Sequence, residues 1–301
     1  MISIFLPSYN HSNFIIECIE NLQKINLKIK IIIIDDSSID NSVIKIKKYI
    51  YKNSIKNILL IEKETNKGVK HSLNLFLSLV DTEYVYLTAS DDIVIAHGFE
   101  EVIKILEDNK EMKFIIGGGF NVFENSSMTN IYKKEHFTFF NLKINERYSA
   151  IFLNYPSPIL SQSTIIRTSA LRHIKVWDSE IMLDDFEMFI KLLIKFPEKK
   201  KDFEFKPDIP IVYYRHHKSN SYKDYVRQFF MTKQVLEKLA PVNLKEKAIS
   251  KQLAVYFLKS IKSRQINTLN ELIKLATSKQ LIYSILHMIQ IIYKKFFNAR
   301  Y

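Results

Sequence analysis

The chain has 301 residues, 47% of them hydrophobic and 25% charged, the balance of a globular protein with room for one large domain or two smaller ones. Its single cysteine, Cys18, excludes an internal disulfide and fits a reducing cytoplasm, and no stretch reaches the length of about 18 apolar residues that a membrane span needs. The net charge of +12 is uneven: residues 222–301 carry 15 Lys+Arg against 4 Asp+Glu, while residues 1–221 are close to neutral, so the two parts are expected to do different jobs.

Met1 to Pro7 is a short apolar run with no basic region, so no secretory signal is expected and the protein should be soluble or peripheral. Ile2 to Leu6 reads as a strand that Pro7-Ser8-Tyr9-Asn10 ends. Phe14, Ile15, Cys18, Ile19 and Leu22 then mark the core stripe of a helix. Lys30 to Ile34 is a β-branched run typical of a strand buried on both faces, closed by Asp35-Asp36-Ser37-Ser38. A helix capped by Asp40 or Asn41 follows to about Tyr51, then a strand at Ile58–Ile61 and a loop at Asn66-Lys67-Gly68. The next elements are a helix from Val69, a strand over Glu83–Leu87 and a helix over Phe99–Asp108. This fourfold alternation predicts an α/β fold with a mostly parallel, Rossmann-like sheet flanked by helices. Three of its strands would end in polar clusters on one rim, where open α/β sheets bind ligands.

The third cluster is Ser90-Asp91-Asp92. Two adjacent carboxylates at the end of a buried strand cannot enter the core unpaired, and paired hard oxygens suit Mg2+ or Mn2+ shared with substrate phosphates. A solvated Asp-Asp turn is the plainer alternative. Further on, Gly117-Gly118-Gly119 follows an apolar run and signals a bend or a close backbone approach; its spacing matches neither a dinucleotide loop nor a P-loop. Residues 120–150 read as hairpin and loop, Pro156-Ser157-Pro158 as a rigid turn, and Ser163–Arg167 as a strand. Asp184-Asp185 opens a helix with acids at its positive end, and Ile209–Tyr214 is a last strand before Arg215-His216-His217-Lys218. Lys199-Lys200-Lys201 reads as a solvated turn. From residue 222 on only helices are expected. The last apolar one, Leu281–Tyr293, meets Lys294-Lys295 and suits either an interfacial helix on anionic lipid or a packed subdomain or homo-oligomer contact. The basic charge comes with no nucleic-acid-binding motif, so no nucleic-acid partner is expected.

These stretches, in this order, resemble the family 2 glycosyltransferases with the GT-A fold. The signs are Pro7-Ser8-Tyr9-Asn10, Asp35-Asp36-Ser37-Ser38 with Asp40, Asn66 and Gly68 with Asn74, Ser90-Asp91-Asp92, Asp184-Asp185, and the Arg, His and Ser cluster of residues 215–221. The resemblance covers roughly residues 1–221, the expected nucleotide-sugar-binding and catalytic domain, and leaves 222–301 as a basic helical extension. It implies that Pro7, Tyr9 and Asn10 line the nucleotide, with Tyr9 near a uracil-like base. Asp36 would accept a hydrogen bond from the base, Asp35 would support the loop or touch the ribose, and Asn66 and Gly68 would approach from the next loop. Asp91 would reach the ribose or sugar and Asp92 would hold Mn2+ or Mg2+ on the diphosphate. Ala89 stands where many members carry a first Asp, which leaves the number of metal ligands open. Asp185 matches the catalytic base, with Asp184 in place of the usual Glu. The family's histidine that meets metal or diphosphate is His216 if counted back from Ser219 and Ser221, and His217 if counted from Arg215; Arg215 and Lys218 would meet phosphate.

The resemblance therefore implies an inverting, metal-dependent transfer of a sugar from a nucleotide-diphosphate donor, UDP-linked, to a hydroxyl of a glycan or lipid-linked acceptor. The Ile-, Lys- and Asn-rich composition suggests an AT-rich bacterium, and with it lipooligosaccharide or capsule assembly at the inner face of the cytoplasmic membrane. The alternative is a catalytically inactive nucleotide-sugar-binding or scaffolding subunit. A sugar nucleotidyltransferase would open with a glycine-rich basic loop, which Pro7-Ser8-Tyr9-Asn10-His11 is not.

Overall fold

The computed structural model describes residues 1–177, 181–217, 220 and 223–298, with side chains through 293. The chain forms two compact units. The first holds 1–141, 156–179 and 191–218; the second holds 142–155, 180–190 and 219–301. Two segments from within the first 221 residues thus belong with the C-terminal helices.

The first unit is built on one sheet. Its strands are β1 (Ile2–Ser8), β2 (Ile29–Asp35), β3 (Ile58–Glu62), β4 (Tyr84–Leu87), β5 (Ile93–Val94), β6 (Phe114–Phe123), β7 (Met128–Asn130), β8 (Thr164–Arg167) and β9 (Phe203–His216). Their order is β3-β2-β1-β4-β8-β6-β9-β5, with β7 paired to β6. β3, β2, β1 and β4 run parallel, as the alternation of strands and helices predicted. Beyond β4 the sheet is mixed, because β8 runs antiparallel to both β4 and β6. The helices are α1 (Ile15–Leu22), α2 (Ser42–Lys52), α3 (Val69–Leu79), α4 (Ala96–Asp108), α5 (Lys134–Phe140) and, after α6 of the other unit, α7 (Thr168–His173). Alternate side chains of β1 point to opposite faces. Ile2, Ile4 and Leu6 join Cys18, Ile19 and Leu22 of α1 and Phe99, Val102 and Leu106 of α4 in one core. Phe5 faces the other way, its ring 5.2 Å from that of Phe76 in α3. Cys18 is buried in this core, and burial pushes its thiol far above the usual range, so it packs as a small hydrophobe.

The triple glycine is both a close approach and an irregularity. A Cβ on Gly118 would run into the Pro207 carbonyl oxygen, and the β6–β9 register shifts on either side of this residue. That shift explains how β9, expected only over 209–214, starts at Phe203 and tolerates Pro207 and Pro210: proline is accommodated at bulges. The hairpin-and-loop reading of 120–150 holds only for β6 and β7. Residues 134–140 and 144–153 are helices α5 and α6, short ones whose aromatic and polar residues obscure the helical period.

The second unit is helical. It contains α6 (Ile144–Leu153), the first residues of α8 (Asp184–Lys195), α9 (Tyr225–Leu239), α10 (Val242–Lys262), α11 (Ile266–Lys274) and α12 (Ser278–Asn298). α10 is its centre and packs against α6, α9, α11 and α12. Asp224 caps α9 by accepting from the Arg227 amide at 3.0 Å.

Candidate active site

Parallel pairing in register puts the C-terminal ends of β1 to β4 on one edge, and the loops there are knitted together. Asp35 is buried. Its Oδ2 accepts from Ser8 Oγ and Ser38 Oγ, both at 2.7 Å, and its Oδ1 accepts from the Ser38 amide at 2.8 Å. The carboxylate thus ties the β1 loop to the β2 loop. Asn10 sits at φ 55°, a conformation asparagine tolerates, and its Oδ1 accepts from the Ile39 amide at 2.9 Å. Pro7 lies in the ladder opposite Ile34, and the Tyr9 ring beyond it is 46% exposed, an open platform at the rim.

Asp36 is nearly buried. Its amide donates to Ser8 O at 2.8 Å and its Oδ1 accepts from the Lys67 amide at 2.9 Å. The same oxygen is ion-paired with Lys63 Nζ, which also donates to Ser72 Oγ at 3.0 Å. Sequence reasoning missed Lys63. The available signal was its position directly after β3, on the same rim as Asp36 after β2. Asn66 Oδ1 accepts from the Gly68 amide at 3.1 Å. Gly68 itself is at φ 80°, with open space where a Cβ would stand, so its backbone conformation is what calls for glycine. Asp40 does not cap α2 through the helix-start amides alone. It accepts from the Ser12 amide at 3.0 Å and the Ser42 amide at 2.9 Å, which binds the β1 loop to α2.

The second Asp pair is positioned by long-range pairing. β5 and β9 are antiparallel with Ile93 opposite Tyr213, which carries residues 215–217 to Asp91 and Asp92. The Arg215 amide donates to Asp92 Oδ1 at 2.9 Å, and the Arg215 side chain donates to Asp91 O and pairs with Glu17. His217 Nε2 donates to Asp91 Oδ2 at 2.8 Å. Phe14, read from the sequence as core, instead lies half-buried under this cluster: its ring stacks on His217 at 5.1 Å and faces the Arg215 guanidinium at 5.2 Å. His11 and Ser90 are hydrogen-bonded to each other beside it.

Asp92 is 1% exposed, and its Oδ2 is buried with no hydrogen-bond partner among the described residues. Burial, and next the charge of Asp91, push its carboxyl well above the usual range, against the Arg215 amide and guanidinium. An orphaned carboxylate oxygen of this kind is expensive unless something positive meets it. The donor type fits a hard divalent cation. Among the described residues no group of three or more His, Cys, Asp or Glu side chains gathers into a metal site. Mg2+ commonly combines one or two carboxylates with substrate phosphates and water, and a buried carboxylate oxygen such as Asp92 Oδ2 suits that role.

His216 is turned away from this cluster, with Nε2 2.9 Å from Asn121 Oδ1 and its ring stacked on Phe123 at 4.5 Å. Of the two histidines, His217 is the one beside Asp91. Lys218 lies outside the described residues, as do Ser219 and Ser221. Asp184 and Asp185 belong to the second unit, half-buried in the first turn of α8 together with Glu187, which is fully buried and was not singled out from the sequence. Phe186 anchors that turn, its ring 4.7 Å from Tyr155.

A family profile described as glycosyl transferase family 2 matches residues 3–174, more than half of the chain. The chain belongs to this family. Among curated proteins it is similar to glycosyltransferase GlyG of Streptococcus pneumoniae, 28% identical over 122 residues that make up 40% of this chain and 40% of GlyG. It is also similar to the minor teichoic acid biosynthesis protein GgaB of Bacillus subtilis, 27% identical over 208 residues, 66% of this chain but 21% of GgaB. The chain thus spans less than half the length of these relatives. Among solved structures it resembles residues 1–349 of S. aureus TarS in complex with UDP-GlcNAc, with a TM-score of 0.62, 15% identity and coverage of 96% of this chain and 88% of that one. A mannosyltransferase, PcManGT from Pyrobaculum calidifontis, in complex with GDP-Man and Mn2+, gives a TM-score of 0.58 at 13% identity over 96% and 86% of the two chains. At such identities the likeness is one of fold, and the fold is that of the GT-A glycosyltransferases.

Proposed function

We propose that this protein is an inverting, metal-dependent glycosyltransferase that moves a sugar from a nucleotide-diphosphate donor, UDP-linked, to a hydroxyl of a bacterial surface glycan of the lipooligosaccharide or capsule kind. The observation that carries the reading is the buried Asp92 Oδ2, without a hydrogen-bond partner among the described residues, on the rim of a family 2 chain. The UDP-GlcNAc complex of TarS supports the donor class, and the name of GgaB supports a surface polymer as acceptor. The Mn2+ in the PcManGT complex supports a divalent ion, Mn2+ or Mg2+.

In this reading Tyr9 offers its exposed ring to the base, and Asp36 accepts from a base N–H while Lys63 holds the carboxylate in place. Asn10, Asn66 and Gly68 shape the loops that meet the nucleotide. Asp35 acts through the loops it ties, and Asp91, steadied by His217, faces the ribose or sugar. Asp92 would hold a divalent cation through its buried Oδ2, and such an ion would supply Lewis-acid stabilisation of diphosphate charge. Arg215 is committed to Asp91 O and Glu17, so its contribution is to hold the Asp pair and to set positive potential beside phosphate. Asp185 takes the proton from the acceptor hydroxyl as its oxygen attacks.

The test is nucleotide release from a panel of UDP-, GDP-, CMP- and dTDP-sugars with Mn2+ or Mg2+, repeated with EDTA. Release of UDP from one donor, abolished by EDTA and reduced about a hundredfold or more by Asp185→Ala, is the expected result. An unchanged rate in EDTA sinks the metal role. Nucleotide binding without any turnover, unaffected by Asp185→Ala, would favour a binding subunit.

A further inference from the structure

Helix α12 packs inside out. The side chains it buries in the second unit are polar: Gln280, Ser284 and His287. They face α10 and are satisfied there or locally, Gln280 Nε2 donating to Glu246 Oε2 at 3.3 Å and Ser284 Oγ to Leu281 O at 2.7 Å. Leu281, Met288 and Ile291 are half-buried, while the other aliphatic side chains described on this helix are exposed. Ile282, Ile285, Leu286, Ile289 and Ile292 are each 43–63% exposed, and their spacing of three and four residues sets them along one stripe of the helix. An ordinary surface helix does the reverse. A continuous apolar stripe of this size left in water, while Gln280, Ser284 and His287 occupy the most deeply buried positions, marks a surface that something else covers.

Charge selects the occupant. From residue 272 to 301 the sequence has no Asp or Glu at all, while Lys274, Lys279, Lys294, Lys295 and Arg300 supply five cations. Lys274 and Lys279 are exposed at the start of the same region. Lys274 is ion-paired with Glu271 at 2.7 Å, but a second copy of this chain docked stripe to stripe would still bring the remaining like charges of this stretch together. An anionic bilayer surface matches both features: the isoleucines enter the acyl boundary and the cations meet lipid headgroups. Among the described residues no helix is long and apolar enough to cross a membrane, so the helix would lie along the surface. We propose that the exposed face of α12 is a docking surface for an anionic lipid bilayer. This rests on the second unit alone and is independent of the reading of the rim site.

The experiment is vesicle flotation of the full chain with phosphatidylcholine vesicles, with and without phosphatidylglycerol, alongside light scattering on a sizing column. Wild type is expected to float with phosphatidylglycerol-containing vesicles and to be released toward 1 M salt, where the screening length falls to about 3 Å. The double variant Ile285→Glu/Ile289→Glu is expected to lose about a hundredfold in vesicle affinity, one factor of ten for each isoleucine kept out of the acyl boundary. Both side chains are exposed, so its melting temperature should match wild type, and Lys274→Glu/Lys279→Glu provides a second variant that leaves the stripe intact but weakens binding. Wild type that stays with the soluble fraction, or floats equally with pure phosphatidylcholine, overturns the proposal. So does a wild-type dimer that Ile285→Glu/Ile289→Glu splits into monomers, which would assign the stripe to a second copy.

Discussion

The rim carries two adjacent Asp pairs, and they are finished to different degrees. In the Asp35-Asp36 loop every visible demand is met: Asp35 accepts from two serine hydroxyls and an amide, and Asp36 is ion-paired with Lys63. In the Asp91-Asp92 loop one carboxylate oxygen is buried and has no hydrogen-bond partner among the described residues. The same two letters at the end of a parallel strand therefore give a structural pin in one case and stored electrostatic cost in the other. What separates them is the neighbour supplied by the chain. β3 delivers a lysine to the first pair, whereas β9 delivers to the second an amide and a guanidinium already engaged with Asp91 O and Glu17. Sites that hold unpaid cost of this kind are where function is expected.

The largest effect should come from relieving that cost. Asp92→Asn keeps the shape and the bond to the Arg215 amide but removes the charge. Sugar transfer should fall by about 10²–10³, the value of several kcal/mol of charge stabilisation in the transition state. At the same time the metal-free protein should become more stable, by about 1 kcal/mol, because an uncompensated buried charge is gone. Activity and urea denaturation on one preparation check both. A variant that keeps full activity, or one that is destabilised, would show that Asp92 is a satisfied structural residue like Asp35.

The matching cut in the other loop should behave in the opposite sense. Lys63→Met leaves Asp36 charged, nearly buried and without its ion-pair partner, and removal of one member of a buried pair costs about 3–5 kcal/mol. Adding Asp36→Asn should recover much of this loss, since no charge then remains to be paired. If the double variant is no more stable than Lys63→Met alone, the two residues are not coupled, and the contrast between the loops fails.

Much of this arrangement is legible in the sequence, for a reason visible in the elements themselves. β1 to β4 are local units of strand, polar loop and helix, and both Asp pairs follow β-branched or aromatic runs, so their rim positions can be read from period and composition alone. The partners cannot. Arg215 reaches Asp92 across 123 positions of chain through the β5–β9 register, and whether His216 or His217 turns toward Asp91 depends on which face of β9 each residue occupies at its end. Lys63 was hidden because a lysine after a strand is ordinary until the parallel register sets it beside Asp36. The helices α5 and α6 were missed because short helices owe their existence to tertiary packing more than to propensity. In α12 the run Leu281–Tyr293 is almost wholly apolar, so nothing in its pattern marks Gln280, Ser284 and His287 as the most deeply buried positions.

The smallest effect tests a fifth carboxylate, beside these two pairs. Asp40 is partly buried, which works against its charge, but hydrogen bonds from the hydroxyl and amide of Ser42 and from Ser12 outweigh this and lower its pKa to about 2. Unfolded, the same group titrates near 3.9. A carboxyl whose pKa is lower in the folded state contributes stability that is fully present above the unfolded value and is lost as the pH falls through the folded one. The Asp40 contribution should therefore disappear between about pH 4 and pH 2. Asp40→Asn removes the titration while leaving an oxygen that accepts from the Ser42 amide, so the loss at neutral pH should be about 1 kcal/mol or less. Its urea midpoint should converge on that of wild type as the pH is lowered across this window. If the two midpoints instead run parallel from about pH 5 to pH 2, Asp40 is not held ionised by these bonds, and the α2 end of the first loop is less completely satisfied than its geometry indicates.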